Sequence, residues 1–292
     1  GFPWERARIN HWYRLNIAIT RYQVCNGRRK LGACLSTPME ISMSVSSASL
    51  AGKVAFVQGG SRGIGAAIVR RLAAEGASVA FTYVSSADKS RALAAELEGA
   101  GASILALHAD SADAAALVAA VDEAAARFGR IDILVNNAAV LALGSVEELP
   151  LADFERTLAI NVRSVFVATQ AAVKHMGDGG RVISIGSTNA ERMPFAGGAT
   201  YAMSKSALVG LTKGLARDLG PRGITVNNVQ PGPVDTDMNP DDGDFAEALK
   251  GLMALPRYAR SEEIASFVAY LAGPEAAYIT GASLTIDGGF SA

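Results

Sequence analysis

Residues 54–73, VAFVQGGSRGIGAAIVRRLA, join an apolar run, a glycine-rich loop and the start of a helical pattern. The run 54–57 is typical of a buried strand, and the residues from Ala66 onward predict a helix. Glycines in such a loop allow a tight turn and close approach of the backbone to a pyrophosphate, and the helix N-terminus supplies amide donors. A glycine cluster alone is often only a turn. The strand before it and the helix after it favour a dinucleotide site, although the spacing is G-x-x-x-G-x-G rather than G-x-G-x-x-G.

Beyond this loop, strand patterns alternate with helical patterns. Further strands are predicted at 77–83, 103–107, 131–135, 181–185, 225–229 and 283–286. Helices are predicted at 87–99, 112–128, 200–219 and from a cap at Asp153 to about 175. This alternation predicts an α/β fold with a doubly wound, seven-stranded parallel sheet and helices on both faces. The positions 59, 110, 136, 187 and 231 follow predicted strands, so we expect them at the carboxyl edge of the sheet, where ligands bind.

Tyr201 and Lys205 are four residues apart in the predicted helix 200–219, and therefore lie on the same face. A free tyrosine has a pKa of about 10 and is a poor acid–base catalyst near neutrality. A lysine cation beside it favours the phenolate and would lower that pKa. The pair alone is weak evidence, because on a surface helix it is two solvated side chains. It gains weight from the glycine loop, from Ser187 upstream and from Asn161 on the preceding helix.

Residues 50–292 resemble the short-chain dehydrogenase/reductase family in several motifs. The glycine loop matches the first motif, and 136–139 (Asn-Asn-Ala-Ala) matches Asn-Asn-Ala-Gly with Ala139 in place of glycine. The segment 231–236 matches the one that packs against the nicotinamide, and 279–282 and 286–289 match the C-terminal signature. Two features depart from the family: Gln58 replaces a usual threonine, and Ser187 and Tyr201 are one residue further apart than is common. The resemblance implies a single-domain Rossmann fold.

The resemblance also implies reversible hydride transfer between NADP(H) and a small carbonyl or alcohol substrate. In that reaction Tyr201 gives its proton to the carbonyl oxygen, and Lys205 lowers the tyrosine pKa and hydrogen-bonds the nicotinamide ribose. Ser187 polarises the substrate oxygen, and Asn161 holds a water that links Lys205 to solvent. Considered singly, Ser187 is better explained as a turn cap, and Asn161 as a residue that satisfies backbone groups in the long helix.

The residues predicted to bind the cofactor come from the loop and from the ends of the strands. They are Gly59, Ser61, Arg62, Gly63, Ile64, Gly65, Tyr83, Ser85, Ser86, Asp110, Ser111, Asn137, Ala138, Ala139, Tyr201, Lys205, Pro231, Gly232, Val234 and Thr236.

The second strand and the loop together predict a preference for NADPH. Folds that use NAD usually place an acid about 20 residues beyond the glycine loop, on the ribose 2′-hydroxyl. Here residues 83–86 are Tyr-Val-Ser-Ser, and Asp88 comes later as the expected cap of the next helix. Arg62 lies in the loop where family members that prefer NADP often have a basic residue, and a guanidinium suits a phosphate dianion. The alternative is that Arg62 is a solvated loop residue.

Composition limits the remaining possibilities. The chain has 292 residues, 50% of them hydrophobic, and a net charge of −1, which fits one large α/β domain and gives no sign of nucleic-acid binding. No apolar run reaches the ~18–20 residues of a membrane span. No His, Cys and carboxylate cluster has the spacing of metal ligands, so no metal is predicted.

The first 43 residues differ from the rest of the chain. They contain both tryptophans, both cysteines and seven Arg or Lys residues against two acids. We expect an extension with no role in the fold, and a domain covering 44–292 that starts as the family does, near Met43. A remainder without cysteine suits a reducing cytoplasm.

The substrate is less constrained by sequence. In this family the segment 237–256 forms a lid over the substrate, and here it mixes acids with apolar residues. Similar sequences are often 3-oxoacyl-carrier-protein reductases, whose acidic carrier needs a basic surface. Arg222 is a candidate for that surface, but 178–180, just before Arg181, read Asp-Gly-Gly where such relatives carry a second base. A ketone of another type is at least as well supported.

A function of another class is also open. Segments 59–71, 192–194 and 230–237 resemble a bacterial member of this family that is described as binding cyclic di-GMP in biofilm dispersal. The chain would then sequester a signalling dinucleotide. An intact set of Ser187, Tyr201, Lys205 and Asn161 is more easily explained by catalysis. The family also implies a homotetramer formed through the long helices and the apolar C-terminal residues 279–290.

Overall fold

The computed structural model describes residues 49–292. The predicted extension at 1–43 and the predicted domain start near Met43 therefore lie outside the described residues. Within the described part, no helix has both the length and the apolar character needed to cross a bilayer.

One sheet of seven parallel strands forms the centre of the fold, as predicted. The strands are Val54–Gln58 (β1), Ser78–Tyr83 (β2), Ile104–His108 (β3), Ile133–Asn136 (β4), Arg181–Ile185 (β5), Thr225–Pro231 (β6) and Ser283–Ile286 (β7). Strands β1, β4, β5 and β6 are buried along their whole length, because helices cover both faces of the sheet.

Eight α-helices are present in the described residues. They are Gly63–Ala74 (α1), Ala87–Gly99 (α2), Ala114–Phe128 (α3), Leu151–Leu158 (α4), Ser164–Ala172 (α5), Ala199–Leu219 (α6), Gly243–Lys250 (α7) and Ser261–Ala272 (α8). Apolar residues of α1, α2 and α8 form one core with the first face of the sheet. Those of α3, α5 and α6 form a second core with the other face. The predicted fold class is confirmed.

The strand order is β3-β2-β1-β4-β5-β6-β7. The chain builds outward from β1 to β3 and then returns to the other side of β1, so the order reverses between β1 and β4. In open parallel sheets, ligands bind in the crevice at the carboxyl ends of the strands beside such a reversal. Gln58 at the end of β1 pairs with Asn136 at the end of β4, and both lie at that edge.

The long helix predicted from Asp153 to about 175 is wrong in three respects. The observed helix begins at Leu151, and the extended backbone of Pro150 occupies the capping position. Asp153 therefore lies in the first turn and is not the cap. A π-helical turn, Ala159–Arg163, separates α4 from α5. The helix ends at Ala172. A carboxylate in the first turn still interacts favourably with the helix dipole, which explains why Asp153 resembled a cap.

At two other helices, the capping residue or the first residue differs from the prediction. The predicted cap Asp88 lies inside the first turn of α2 and pairs with Arg91, while Ser86 occupies the capping position. Helix α3 begins two residues later than predicted, because Asp113 accepts hydrogen bonds from the backbone amides of Ala115 and Ala116.

Candidate active site

A cavity of about 420 Å³ opens at the carboxyl edge of the sheet. That volume is within the range of about 300–1,000 Å³ typical of small-molecule sites. Every residue predicted to bind the cofactor lines it, as do Ser187, Tyr201 and Lys205. Asn161 lies behind its wall and is only 1% exposed. Residues from the ends of β1, β2, β4, β5 and β6 therefore converge on one space.

The glycine loop is fixed by both strands that flank β1. The backbone amide of Gly59 donates to Thr82 Oγ1 at 2.9 Å, and that of Gly60 donates to the Thr82 carbonyl at 2.9 Å. From the other side, Asn137 Nδ2 donates to the Gly59 carbonyl at 2.8 Å. At Gly65, in the first turn of α1, a Cβ atom would lie 2.1 Å from the Gly59 carbonyl oxygen and 2.6 Å from Asn137 Nδ2. The loop therefore packs against α1 only because position 65 has no side chain.

Cations cluster at the end of the cavity beside β2. Arg62 lines the cavity, with a side chain that is 51% exposed, near Ser85 and Ser86. Lys89 in α2 donates to Asp237 Oδ2 at 2.8 Å, and Arg62 Nη1 lies 4.0 Å from the same oxygen. Sequence reasoning did not identify Lys89 as part of this site. The available signal was its position in the first turn of the helix that follows the acid-free end of β2.

Ser187 caps a short helix, which is one of the two roles that the sequence left open, and it also lines the cavity. It directly follows Gly186 at the end of β5, and its Oγ accepts a hydrogen bond from the backbone amide of Asn189 at 3.1 Å. The same hydroxyl faces the phenol of Tyr201, where it acts to lower the tyrosine pKa. Ser187 is therefore both the cap of the short helix Thr188–Ala190 and a polar group of the cavity.

Lys205 lies one turn after Tyr201 in α6, as predicted. Its Nζ is 5.7 Å from the centroid of the Tyr201 ring and donates to the Ile185 carbonyl at 2.8 Å. Lys205 is only 3% exposed, and this burial lowers its pKa to about 8. The carbonyl of Ile185 at the end of β5 therefore aims the amine toward the phenol side of the cavity.

The predicted lowering of the Tyr201 pKa is not found in this geometry. Burial raises the pKa of the phenol, and the Ser187 hydroxyl opposes this effect only in part. The same burial that disfavours the phenolate also disfavours the Lys205 cation, which was expected to stabilise it. The phenol is therefore protonated near neutral pH, and this is the form that can give a proton to a carbonyl oxygen.

Burial of the Lys205 cation is expected to lower the free energy of unfolding. Its pKa is about 8 in the folded state, against 10.5 for a fully solvated lysine, so below pH 8 the fold carries a desolvated cation. This disfavours folding by ~3 kcal/mol, whereas a methionine at this position would leave the Ile185 carbonyl unpaired at ~1 kcal/mol. We expect Lys205→Met to raise the free energy of unfolding by ~1–2 kcal/mol at pH 7.

The pH dependence of that gain is fixed by the same shift. Between pH 8 and 10.5 the unfolded lysine binds more protons than the folded one, so the wild-type protein gains stability relative to the variant as the pH rises. The difference should be largest at about pH 7 and small near pH 10. Urea unfolding of both proteins at about pH 7 and about pH 9.5 measures it. A variant less stable than wild type at neutral pH would contradict the assigned burial cost.

Asn161 is held in the π-helical turn by its side-chain amide. Its Nδ2 donates to the Val140 carbonyl and to Ser204 Oγ, both at 3.0 Å, and its Oδ1 accepts from the Val140 amide at 2.9 Å. Val140 lines the cavity and Ser204 adjoins Lys205. Both amide hydrogens are thus committed to positioning the cavity wall. A water bound by Asn161 would therefore have to donate its hydrogen bond to the second lone pair of Oδ1 or to the main-chain carbonyl of Asn161.

Gln58, the departure from the usual threonine, connects the end of β1 to the same turn. It is fully buried, and its Nε2 donates to Ser164 Oγ at 2.9 Å. Ser164 in turn donates to the Ile160 carbonyl within the π-helical turn. The end of β1, just before the glycine loop, and the turn that carries Asn161 are therefore linked through two buried side chains.

The remaining lining of the cavity is largely apolar, with Arg156, Asn189 and Asn239 as polar members, and it was only partly predicted. Helix α7, within the segment 237–256, contributes Phe245 and Leu249. Phe245 meets Phe195 edge to face, with ring centroids 5.4 Å apart and planes at 77°. Further apolar lining comes from Leu141, Leu143 and Phe290. These residues lie far apart in sequence, so no local pattern indicated that they share a wall.

Among residues 49–292, no group of three His, Cys, Asp or Glu side chains is arranged to hold a metal ion.

Comparisons with known proteins agree with this geometry. The family model for enoyl-(acyl carrier protein) reductase matches residues 59–291. The cyclic-di-GMP-binding biofilm dispersal mediator protein of Escherichia coli (strain K12) is 50% identical over 241 residues, 82% of this chain and 98% of that protein. The structure of a short-chain dehydrogenase/reductase from Serratia marcescens BCRC 10948 is 72% identical with a TM-score of 0.83, covering 84% of this chain and 100% of that one. A short chain dehydrogenase from Burkholderia cenocepacia J2315, solved in complex with NADP, is 55% identical with a TM-score of 0.83, covering 84% and 100%.

Proposed function

Because this chain belongs to the short-chain dehydrogenase/reductase family, we propose that it transfers hydride reversibly between NADP(H) and a carbonyl or alcohol substrate. The observation that carries the proposal is the convergence of Ser187, Tyr201 and Lys205 on the cavity that also holds the glycine loop. Either feature alone has a structural explanation. Their meeting at the strand-order reversal is what a dinucleotide-dependent active site requires.

The loop supports the choice of a dinucleotide. The cradle formed by Gly59, Gly65 and Asn137 has no room for a side chain, which is the arrangement that lets a pyrophosphate approach the backbone. Pro231, Gly232, Val234 and Thr236 line the same cavity as Tyr201, and the resemblance to the family assigns this segment to the nicotinamide. NADPH supplies the hydride, and the protein supplies orientation and proton transfer.

The proton chemistry then follows from the side chains. Tyr201, protonated near neutrality, gives its proton to the substrate oxygen while Ser187 donates a hydrogen bond to the same oxygen. Lys205, held by the Ile185 carbonyl, places an amine with a pKa of about 8 where it can stabilise the phenolate that forms. Asn161 holds Val140 and Ser204 in place around Tyr201 and Lys205. Asn161 also binds a water through which a proton from solvent restores the Tyr201 hydroxyl.

Arg62 should decide between the two nicotinamide cofactors. The acid-free end of β2 and the guanidinium in the loop both favour a 2′-phosphate. We expect wild-type kcat/KM to be higher with NADPH than with NADH. Since a hydrogen bond to a charged group contributes about 1.5–3 kcal/mol, Arg62→Ala should lower kcat/KM for NADPH about tenfold and leave that for NADH nearly unchanged. Equal or better wild-type activity with NADH would contradict the proposal.

The apolar part of the cavity lining supports a substrate with a hydrocarbon portion. Phe195, Phe245, Leu249 and Phe290 line the part beyond Tyr201, which suits the hydrocarbon body of a ketone or a 3-oxoacyl group. A carrier-bound thioester has less support. The guanidinium of Arg222 is used within the protein, where Nη1 donates to the Val173 carbonyl at 3.2 Å and Nη2 to that of Met176. An acidic carrier would have to compete with both bonds.

Binding of cyclic di-GMP is the second candidate function. It is favoured by the 50% identity with the Escherichia coli protein, which includes the region of the loop and of the 230–237 segment. Arg192, in the similar segment 192–194, is a basic group that could meet a phosphate of such a ligand. Its guanidinium is already used within the protein, where it lies over the Phe290 ring and donates to the Phe290 carbonyl. The catalytic set in the cavity has no use in a protein that only binds a signal, so we rank catalysis first.

One paired experiment tests both functions. NADPH consumption is followed with a panel of ketones and 3-oxoacyl thioesters, and the same protein is titrated with cyclic di-GMP by calorimetry. Turnover of any carbonyl that is lost in Tyr201→Phe supports the reductase. Binding of cyclic di-GMP without turnover of any panel member would favour the second function.

Assembly and location remain part of the proposal. A homotetramer through the long helices is supported by the exposed apolar residues Leu151, Phe166 and Met203, which lie on α4, α5 and α6. A cytoplasmic location is proposed from the absence of cysteine in residues 44–292.

A further inference from the structure

Three charged side chains meet beside the cavity entrance at the end of β2. Asp237 Oδ2 accepts from Lys89 Nζ at 2.8 Å and lies 4.0 Å from Arg62 Nη1. We refer to Arg62, Lys89 and Asp237 as the Asp237 cluster. Its side chains are between 51% and 61% exposed, so the pairs are solvated and exchangeable. Lys89 and Asp237 are 148 residues apart in sequence, and they meet only in the folded protein.

The cluster borders the part of the cavity that suits the adenosine end of a dinucleotide. Arg62 and Asp237 line the cavity together with Ser85 and Ser86. Arg62, Lys89 and Asp237 also line a shallow groove that continues from it along α1 and α2. A phosphate on the ribose at this end would meet both cations and the carboxylate.

The other charges that line this groove do not contact Lys89 or Arg62, and this holds for Glu262 as well as for the residues that pair with one another. Asp88, next to Lys89 in sequence, pairs with Arg91. Arg70 and Glu96 in the groove pair with each other at 2.8 Å. The Asp237 carboxylate is therefore the anion that Lys89 and Arg62 share.

We propose that Asp237 competes with the 2′-phosphate of NADPH for Lys89 and Arg62, which makes Lys89 a second determinant of cofactor specificity. A carboxylate and a phosphate accept hydrogen bonds from the same donors, so an N–H of Lys89 that is given to Asp237 is not available to the phosphate. The Asp237 carboxylate also repels the phosphate dianion. Asp237 opens the segment 237–256, whose helix α7 lines the apolar end of the cavity. When the 2′-phosphate replaces Asp237 at Lys89, the first residue of the segment 237–256 loses its contact with α2. Binding of NADPH would therefore affect this segment, whereas binding of NADH would not. The inference rests on the proposed NADPH dependence.

Calorimetry with adenosine 2′,5′-bisphosphate and with 5′-AMP tests this without any turnover. Low ionic strength is used, because exposed charges are screened by salt. We expect Asp237→Asn to bind the bisphosphate about threefold to tenfold more tightly, since a repelling charge is removed and Lys89 is released. Lys89→Gln should bind it about fivefold to tenfold more weakly. Neither change should alter the affinity for 5′-AMP, which has no 2′-phosphate.

The double variant separates competition from simple repulsion. If Asp237 acts by occupying Lys89, then Asp237→Asn gains less affinity in the Lys89→Gln background than in the wild type. An equal gain in both backgrounds overturns the competition, as does an unchanged or weaker affinity in Asp237→Asn alone. Asp88→Asn is the matched control, because it removes a carboxylate beside Lys89 that is paired with Arg91 instead. It should bind the bisphosphate as the wild type does.

Failure of the proposed function has a different signature. A wild-type protein that prefers 5′-AMP, or binds neither nucleotide, removes the NADPH dependence and the inference with it. A wild-type protein that prefers the bisphosphate, with variants that do not differ from it, removes the inference alone.

Discussion

Tyr201→Phe is expected to reduce kcat by a factor of about 10²–10⁴, which is the usual contribution of a positioned general acid. The substitution keeps the ring that lines the cavity and removes only the hydroxyl that is proposed to give the proton. NADPH affinity, measured by fluorescence titration, should change little, because the loop and the cations beside β2 are untouched. The loss should therefore appear in kcat, with a similar loss in kcat/KM.

Tyr270→Phe is the matched control for this substitution. Tyr270 lies on α8, is 42% exposed and stacks on Phe267 rather than facing the cavity. It should retain full turnover. If Tyr201→Phe keeps turnover as well, then the proton comes from elsewhere and the proposed mechanism is wrong, even if NADPH still binds.

The arrangement of this site could be predicted from sequence to a large extent. Each motif follows a strand, and in a parallel sheet the carboxyl ends of all strands reach one edge. Knowing that Gly59, Asn136 and Ser187 lie at the ends of strands was therefore enough to place them at one edge of the sheet. The apolar runs of β1, β4 and β5 are unambiguous because these strands are buried on both faces.

The missed features depend on contacts between distant residues. The π-helical turn at Ala159–Arg163 places Asn161 against Val140 and Ser204, and helix patterns in the local sequence carry no sign of such an insertion. The Lys89–Asp237 pair joins two distant segments of the chain across the cavity entrance. Neither could be derived from spacing, since spacing describes one element at a time.

The tyrosine pKa shows a different limit. The four-residue spacing correctly placed Lys205 on the same helix face as Tyr201. The prediction that Lys205 lowers the tyrosine pKa assumed, in addition, that its ammonium is solvated and fully charged. Burial acts on both groups, raising the pKa of the phenol and lowering that of the amine. Sequence shows which groups are neighbours, whereas the sign of a pKa shift depends on how much water surrounds them.

Gly65→Ala is expected to weaken NADPH binding by about tenfold to a hundredfold, which corresponds to the loss of one hydrogen bond to a charged group at about 1.5–3 kcal/mol. In an open helical position, alanine would be favoured over glycine by ~0.5–1 kcal/mol. Here the new Cβ would lie 2.1 Å from the Gly59 carbonyl oxygen and 2.6 Å from Asn137 Nδ2. The loop must move away from α1, which breaks the hydrogen bond from Asn137 and withdraws the amides from the pyrophosphate. Overpacking of this kind also lowers the free energy of unfolding by ~1–3 kcal/mol.

Gly99→Ala provides the comparison that isolates this contact. Gly99 ends α2, and a Cβ built there meets no atom within 4 Å, so the same methyl group is added without displacing the loop. Fluorescence titration with NADPH should show wild-type affinity for Gly99→Ala, and urea unfolding should show a stability equal to or slightly above that of the wild type. Gly65→Ala should show losses in both. Tight NADPH binding by a folded Gly65→Ala protein would mean that the cofactor does not lie on this loop, because the loop cannot keep its position once residue 65 carries a side chain.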